Sequence, residues 1–368
     1  MNNLGIFRNA CFLELAIFFG IVLRGGVILA QELERYEFSE EKMGVPVRMI
    51  LYASDERAAE NAAEAVWLRF DEFNSVLSDY DPESEIIQAC RRAGESSEPV
   101  AISDDLRKSL EEARRYCELT DGAFDVTVSP IVKLWRRSRY FHKRPPEDLL
   151  ATAKKNVGLN AWAIDERGVR ANEGVRFDVG GIAKGIALDE ALETLQKRGI
   201  CSALIDASGD LRVGAAPPGK QGWNVGVASL NDEPVCYCEL KNVGICSSGD
   251  ANRYLEIDGI RYSHIIDPRS GEPLTRRCVS AVIAPTATTA DALASALCVL
   301  GGEEFLKVVE RVKKEGLADR DGDFLLEFML LQVKDGSEPP YSRDDVVTSA
   351  SSYFQERISE KEGDSDNR

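Results

Sequence analysis

The chain is almost without histidine, which occurs only twice in 368 residues. Nine cysteines are present, but no two of them form a CxxC pair. Because zinc sites combine Cys and His at close spacing, a zinc site is not expected. The scattered cysteines are interpreted as small buried hydrophobic residues. Export of the chain would permit disulfides, whose pairing the sequence does not reveal.

The chain also lacks an excess of positive charge. It has 45 Lys and Arg against 62 Asp and Glu, which gives a net charge of −17. Such a balance argues against a nucleic-acid-binding surface, which needs basic residues to meet the phosphates. Hydrophobic residues make up 44% and charged residues 29%, as is typical of a globular protein with a sizeable core.

No apolar run is long enough to be a clear membrane span. The run from Phe12 to Leu23 is interrupted by Glu14 and closed by Arg24, and it is shorter than the roughly 20 residues that a spanning helix needs. Residues 1–30 are therefore predicted to be a targeting segment, with a secretory signal peptide favoured over an N-terminal anchor. We expect an exported protein, periplasmic or associated with a membrane on its periplasmic side.

Two changes in composition divide the remainder of the chain. Residues 31–333 carry the periodic apolar patterns of helices and strands, and residues 334–368 are polar and charged. The first part is predicted to be one folded domain, and the second a flexible tail. Within the first part, residues 136–146 are basic and aromatic and are predicted to form a surface loop.

A helix near residue 290 carries a carboxylate and a hydroxyl on one face. Thr288 or Thr289 is predicted to cap it, and Gly301 and the glycine after it are predicted to end it. Asp291 and Ser295 are four residues apart and therefore neighbours on the helix surface. Two such oxygens suit a hard cation such as Mg²⁺. Alternatively, the Asp complements the helix dipole and the small Ser allows close packing.

His264 lies within Tyr262-Ser263-His264-Ile265-Ile266-Asp267-Pro268. Among these apolar neighbours it could be a satisfied core residue. It could equally be a general acid or base, because the ordinary pKa of histidine is near neutrality.

A glycine-rich turn joins a strand to a helix at Phe177–Gly185, in the sequence FDVGGIAKG. A helix N-terminus after such a turn offers backbone N–H groups to phosphate. The spacing does not match a Walker A loop. The alternative interpretation is close packing of the helix on the strand.

Together these segments resemble the ApbE family, whose members are FAD:protein FMN transferases. The resemblance spans roughly residues 35–330 and rests on six motifs in the family's order. They are Ser78–Glu85, Ala123–Asp125, Asp178–Gly185, Ser247–Gly249, Tyr262–Pro268 and Ala284–Leu293.

The resemblance implies an α+β fold with mixed or antiparallel sheets and packed helices, and a site shared by Mg²⁺ and the substrate FAD. His264 matches the family's proposed catalytic base, and the resemblance also implies a catalytic role for Asp291. The matching metal ligands are Asp291, Ser295, which stands where the family usually has Thr, and the backbone carbonyl of Gly181. The matching FAD-binding residues are Tyr80, Ala123, Phe124, Asp125, Asp178, Gly180, Lys184, His264 and Ile265.

The implied reaction moves FMN from FAD through a phosphoester bond to a Ser or Thr hydroxyl of an acceptor protein and releases AMP. Acceptors of the family, such as redox membrane complexes, carry the motif Asp-x-x-Ser/Thr-Gly/Ser-Ala-Ser/Thr. The tail contains Asp345-Val-Val-Thr-Ser-Ala-Ser351, so Ser351 is a candidate acceptor in the protein itself. Alternatively, the match is accidental. Two other functions stay open: hydrolysis of FAD to FMN and AMP, and FAD binding without catalysis.

Overall fold

The computed structural model describes residues 32–231, 233–250, 253–316, 325–337 and 339–365, with side chains up to residue 361. From Leu33 onward these residues belong to one compact unit. The predicted targeting segment lies outside the described residues, so its assignment stays a prediction. Among the described residues, no helix has the length and apolar content that a membrane span requires.

Helices and strands alternate along the chain. The helices are α1 (Glu56–Leu77), α2 (Glu85–Glu95), α3 (Asp104–Leu119), α4 (Ser129–Phe141), α5 (Glu147–Lys154), α6 (Ala183–Gln196), α7 (Ala287–Lys314) and α8 (Ser352–Ser365). The strands are β1 (Glu34–Lys42), β2 (Val45–Ala53), β3 (Trp162–Asp165), β4 (Gly168–Ala171), β5 (Ala203–Ala207), β6 (Asp210–Val213), β7 (Trp223–Gly226), β8 (Tyr237–Leu240), β9 (Gly244–Gly249), β10 (Tyr254–Ile257), β11 (Ile260–Ser263), β12 (Ile266–Asp267), β13 (Glu272–Pro273), β14 (Cys278–Ala284), β15 (Glu327–Val333) and β16 (Val346–Ala350).

One large sheet organises the molecule. Its strand order is β1-β2-β5-β6-β9-β14-β15-β16, and every neighbouring pair is antiparallel. Two-stranded antiparallel pairs, among them β7–β8 and β10–β11, are attached to it. The prediction of an α+β fold with antiparallel sheets and packed helices is confirmed.

The sheet is covered on both faces. On β14, Val282 packs into the helical layer formed largely by α1, α6 and α7. Ala281 and Ile283 face the other way, into a cluster with Trp223 of the β7–β8 pair and Phe354 of α8. Because successive side chains of a strand point to opposite faces, β14 is buried along its whole length.

The prediction of a flexible tail after residue 333 is wrong for the described part of that segment. Strand β16 pairs with β15 over residues 346–350, and Phe354 of α8 is fully buried. The predicted domain boundary therefore cuts between two paired strands. Phe354 belongs to the apolar cluster that contains Trp223, and Val346 and Ala350 pack against this cluster. Burial of that small set is enough to order a segment whose average composition is polar.

The predicted basic surface loop at residues 136–146 begins as a helix instead. Helix α4 runs to Phe141 and ends at His142, which adopts the left-handed conformation with φ of 48°. Trp135 of this helix packs with Leu150 of α5 and with Leu255 and Tyr262 of the β10–β11 pair in a third cluster. The apolar side of α4 is therefore held against these elements, and its charged side faces outward.

Candidate functional site

A single cavity brings together all the residues that the resemblance assigns to FAD, metal and catalysis. Its volume is about 800 Å³, within the size range of pockets that hold ligands of cofactor size. The predicted residues that line it are Tyr80, Ala123, Phe124, Asp125, Asp178, Gly180, Gly181, Lys184, His264, Ile265, Asp291 and Ser295. The elements that supply them are far apart in sequence, so the cavity exists only in the folded chain.

Helix α7 positions the carboxylate and hydroxyl of the site. Its N-cap is Thr286, whose side chain accepts from Thr289 N–H, so the predicted cap at Thr288 or Thr289 is wrong by a few residues. Asp189 of α6 accepts two further N–H groups of the first turn, at 3.0 and 2.8 Å. The helix is broken at Gly301, which has φ of 76° and ψ of 166°. The predicted helix end at this glycine is confirmed.

The three predicted metal ligands lie next to one another. Asp291 is buried, and its Oδ2 accepts Gly185 N–H at 3.1 Å. The Oγ of Ser295 is 3.0 Å from the Oγ of Ser248. A Cβ placed on Gly181 would be 3.2 Å from Ser295 Oγ, so the backbone of Gly181 lies directly beside this hydroxyl.

This set of donors fits Mg²⁺ better than a softer metal. It offers a carboxylate, a hydroxyl and a backbone carbonyl, all of them oxygens. Mg²⁺ is commonly bound by one or two carboxylates together with water and substrate phosphates. Within the described residues, no group of three or more His, Cys, Asp or Glu could hold a metal by side chains alone. Oxygens of water or of a bound phosphate would complete the coordination of a cation here.

Lys184 and two carboxylates form the charged floor of the cavity. Lys184 is ion-paired with the buried Asp210, whose other oxygen accepts Ser247 N–H at 3.0 Å. Burial alone would lower the pKa of Lys184, but the Asp291 and Asp210 carboxylates raise it well above its usual value. Burial, reinforced by Asp210 and opposed by Lys184, raises the pKa of Asp291 to about 6. Two carboxylates against one ammonium favour the entry of a cation.

Sequence reasoning missed Asp210. It belongs to a polar Asp-Ala-Ser-Gly-Asp turn that resembles any other surface turn in the sequence. Its partner Lys184 lies 26 positions earlier in the chain. The strand that Asp210 begins, Asp-Leu-Arg-Val, also contains an arginine, so its local sequence does not mark the Asp as a buried residue.

The glycine-rich turn serves close packing as well as the site. A Cβ on Gly185 would be only 2.5 Å from the carbonyl oxygen of Ala287. Helices α6 and α7 therefore touch backbone to backbone at this point. Gly180 N–H donates to Asp178 at 3.0 Å, which fixes the turn ahead of the helix.

His264 is oriented by the backbone of Arg253. Its Nδ1 lies 3.1 Å from the Arg253 carbonyl, and its own backbone N–H donates to the same oxygen at 2.9 Å. A carbonyl can only accept, so Nδ1 carries the proton and Nε2 keeps its lone pair. Burial is the main cause that lowers the pKa of His264, and the charges of Arg253 and Arg139 lower it further, whereas the hydrogen bond to the Arg253 carbonyl and the Asp250 charge oppose them. The ring is therefore neutral near pH 7 and can accept a proton.

A buried ion pair anchors the hairpin that leads to His264. Asp250 is fully buried, accepts Cys278 N–H at 3.2 Å, and is paired with Arg261 of β11. The Arg261 guanidinium also donates to the Asp250 carbonyl at 2.6 Å and lies 4.0 Å from the centre of the Tyr254 ring. Neither member of the pair was singled out from the sequence, where they appear as a turn residue and a strand residue.

The outer part of the cavity contains Tyr80 and its neighbours. Tyr80 is largely exposed, with the Arg136 guanidinium 5.3 Å from the centre of its ring. Arg136 also lies 3.6 Å from Asp178 and 3.7 Å from Asp79. A flat exposed ring at the mouth of a cavity is suited to stacking on an aromatic ligand.

Asp125 and Phe124 contribute to the cavity in different ways. One Asp125 oxygen accepts from Thr127 N–H and Oγ1 at 2.8 and 2.6 Å, and Cys117 Sγ lies 3.4 Å from the other. Asp125 is therefore bonded into its own turn. The Phe124 ring packs beside Gly181, where a Cβ would be 3.3 Å from the ring. This contact supports the predicted metal-binding turn from behind.

Ser351 lies outside the cavity. Its Oγ is 3.3 Å from Phe328 N and 3.4 Å from Phe328 O, and its own N–H donates to Phe328 O at 2.9 Å. It follows β16, three strands away from the cavity strand β9. At about 4.8 Å per strand this corresponds to about 14 Å across the sheet. Transfer within one molecule would require this end of β16 to leave β15.

Comparison with known proteins agrees with this arrangement. A sequence model of the ApbE family matches residues 43–318. The chain is 31% identical over 265 residues to the FAD:protein FMN transferase of Haemophilus influenzae, covering 69% of this chain and 76% of that protein. It is 32% identical over 251 residues to the FAD:protein FMN transferase of Vibrio cholerae, covering 65% of this chain and 73% of that protein.

Solved structures show the same fold. The flavin transferase ApbE of Vibrio cholerae superposes with a TM-score of 0.73 at 26% identity, over 88% of this chain and 99% of that one. The ApbE protein of Thermotoga maritima gives 0.72 at 30% identity, with the same coverage. From the match over residues 43–318, we conclude that the chain belongs to the ApbE family.

Proposed function

We propose that this protein is a Mg²⁺-dependent FAD:protein FMN transferase that moves FMN to a Ser or Thr hydroxyl of an acceptor protein and releases AMP. The observation that carries the proposal is the presence, in one cavity, of adjacent oxygen donors, the Lys184 ammonium and a neutral His264 with Nε2 unprotonated. The names of the relatives support the same activity for this chain.

Each residue of the cavity has a distinct part in the proposed reaction. Asp291, Ser295 and the Gly181 carbonyl would hold Mg²⁺, which when bound offsets negative charge on the diphosphate. Lys184 adds a second positive charge close by. Its ion pair with Asp210 fixes the ammonium in place, so that little reorganisation is needed during the reaction.

The proposed chemistry replaces the phosphoanhydride link of FAD with a phosphoester link to the acceptor. The acceptor hydroxyl oxygen forms a bond to the FMN phosphorus, while the bond from that phosphorus to the oxygen bridging the two phosphates breaks and AMP leaves. His264 Nε2 takes the hydroxyl proton, and the Arg253 carbonyl holds the ring by Nδ1 during this transfer. The proton then passes to water, which restores the neutral ring.

The proposal is tested with the purified chain, FAD, Mg²⁺ and an acceptor polypeptide. We expect a mass gain of one FMN unit on the acceptor and one AMP released for each gain. AMP with free FMN would instead indicate a hydrolase, and tight FAD binding without AMP a carrier. The residue pair His264 and Asp291 favours a catalyst over a carrier.

The role of His264 has a matched control in the chain. We expect His264→Ala to abolish transfer while FAD still binds. The other histidine, His142, is exposed at the end of α4 and does not line the cavity. His142→Asn keeps a residue that tolerates the left-handed conformation and should leave transfer unchanged. Retained single-turnover transfer by His264→Ala would refute the role of base.

The proposal includes self-modification at Ser351, in which the protein's own tail is the acceptor. The Asp345 to Ser351 motif supports it, whereas the bonds of the Ser351 hydroxyl to Phe328 require the strand end to open first. We expect incubation of the chain alone with FAD and Mg²⁺ to add flavin that Ser351→Ala removes, with Ser352→Ala as the control. No loss in Ser351→Ala would assign the acceptor role to other proteins that carry the motif.

The proposed setting of this activity is the periplasm. It rests on the apolar run in residues 1–30, which resembles a signal peptide. Fractionation of cells producing the full chain, with N-terminal sequencing of the mature protein, tests both export and cleavage. Recovery of an uncleaved chain in the cytoplasm would refute it.

A further inference from the structure

Positive charge is concentrated beside the cavity in a protein whose net charge is −17. Six of the sixteen residues 129–144 are Lys or Arg, and none is Asp or Glu. Helix α4, which carries most of them, forms one wall of the cavity through residues that include Arg136 and Arg139. The local charge is therefore opposite to that of the protein as a whole.

Two of the arginines near His264 have no carboxylate partner among the described residues. Arg136 is close to Asp178 and Asp79, and Arg261 is paired with Asp250. In contrast, Arg139 and Arg253 line the cavity, are exposed, and have no carboxylate within ion-pair distance in the described part of the chain. Both are close enough to His264 for their charges to act on it. They are free to bind an anion that comes from outside.

Each of these arginines is followed by an exposed aromatic residue. Tyr140 is 84% exposed and Tyr254 is 49% exposed. Arginine and tyrosine are enriched at protein interfaces, where the ring supplies contact area and the guanidinium supplies charge. At the cavity only the two arginines take part, one from α4 and one from the residue before β10, because neither tyrosine lines it and the Tyr254 ring is covered by Arg261.

The position of the pair relates it to the acceptor and not to the FAD diphosphate. In the proposed function the diphosphate lies by Lys184, Asp291 and Ser295, and the acceptor hydroxyl must reach His264. Arg139 and Arg253 stand on the His264 side. A polypeptide that brings a hydroxyl to His264 passes these two cations.

We infer that Arg139 and Arg253 form the docking surface for the acceptor protein, and that this surface binds an acidic segment of polypeptide with a carboxylate near the acceptor hydroxyl. The inference rests on the proposed function and names the partner of that site. Charge complementarity selects the acidic segment. The chain's own candidate motif has this chemistry, with Asp344 and Asp345 ahead of Ser351.

The test measures binding of a fluorescent peptide with the sequence of residues 342–354 to the full chain loaded with FAD and Mg²⁺. We expect saturable binding that weakens about tenfold in Arg139→Glu and in Arg253→Glu, since reversal replaces attraction by repulsion. The control is Arg137→Glu, which changes charge equally on the same helix but does not line the cavity. It should change binding less than threefold.

A charge exchange makes the test specific. The peptide with Asp345→Lys should bind the wild-type chain more weakly and regain binding to Arg139→Glu or Arg253→Glu. Absence of saturable binding of the acidic peptide to the wild-type chain would overturn the inference, as would equal effects of Arg137→Glu and Arg139→Glu. Preferential binding of the chain to phosphatidylserine vesicles over the peptide would identify a membrane surface and also overturn it.

The same samples separate this inference from the proposed function. FAD affinity should stay within about twofold in Arg139→Glu; a large loss of FAD affinity with peptide binding kept would assign the arginines to FAD and refute the docking surface. Peptide binding without AMP release or flavin transfer would refute the proposed function and leave the binding surface in place. AMP release with flavin transfer that does not depend on the charge of the peptide would support the proposed function and refute the docking surface.

Discussion

The buried pair of Asp250 and Arg261 provides a quantitative test of how the β10–β11 hairpin is held. In Arg261→Met the Asp250 carboxylate, which is fully buried, loses its cation. Removing one partner of a buried pair costs about 3–5 kcal/mol, because an uncompensated charge stays in the interior. The Arg261 side chain is still 21% exposed, so we expect the lower limit, about 3 kcal/mol of unfolding free energy.

The measurement is urea unfolding of Arg261→Met against the wild-type chain. The control is Arg170→Met, whose pair with Asp165 is 44% and 35% exposed and should contribute at most about 1 kcal/mol. The double variant Asp250→Asn with Arg261→Met removes both charges and keeps an acceptor for Cys278 N–H. We expect it to recover most of the loss.

The Arg261→Met substitution should also disturb the orientation of His264. The hairpin begins at Arg253, whose carbonyl orients His264. We expect single-turnover transfer to fall in Arg261→Met while FAD binding is unchanged. Equal stability losses in Arg261→Met and Arg170→Met, or a double variant no more stable than Arg261→Met, would refute the reasoning.

Three further predictions follow from single sites. Burial lowers the pKa of His264, so the unprotonated fraction and the single-turnover rate should rise with pH, reach half their maximum below about 6.5, and stay constant at neutral pH; a midpoint above 7 would contradict this. In Gly185→Ala the new Cβ would lie 2.5 Å from the carbonyl oxygen of Ala287, so urea unfolding should show a loss of about 1–3 kcal/mol, and an unchanged midpoint would contradict it. Phe354 is fully buried, so Phe354→Ala should cost about 3–5 kcal/mol and speed amide exchange at residues 346–350, whereas a flexible tail would show neither effect.

Much of the cavity could be predicted from short segments of the sequence. The helix with Asp291 and Ser295 follows from local periodicity, and its end at Gly301 follows from a glycine that can adopt positive φ. The ordered motifs of the family resemblance named twelve residues that line one cavity. Residues that are close in sequence keep a predictable spacing in a helix or a turn, so the local structure of these segments can be predicted.

Contacts between distant residues were not predictable in the same way. The Lys184 pair with Asp210 and the Asp250 pair with Arg261 join separate strands, turns and helices. No local pattern marks which of many Asp and Arg residues will be buried together. The orientation of His264 by a backbone carbonyl also leaves no trace in the side-chain sequence.

The sequence by itself determined the helices and strands with strong periodicity, the position of the glycine turns and twelve of the residues around the cavity. Only the tertiary structure decided that the polar segment after residue 333 is ordered, because Phe354 and the strand at residues 346–350 gain a place on a sheet that already exists. It also decided that residues 129–141 of the basic run form a helix at the cavity wall. In both cases burial against distant elements outweighs a weak local preference for irregular structure. The composition of a segment indicates only that local preference.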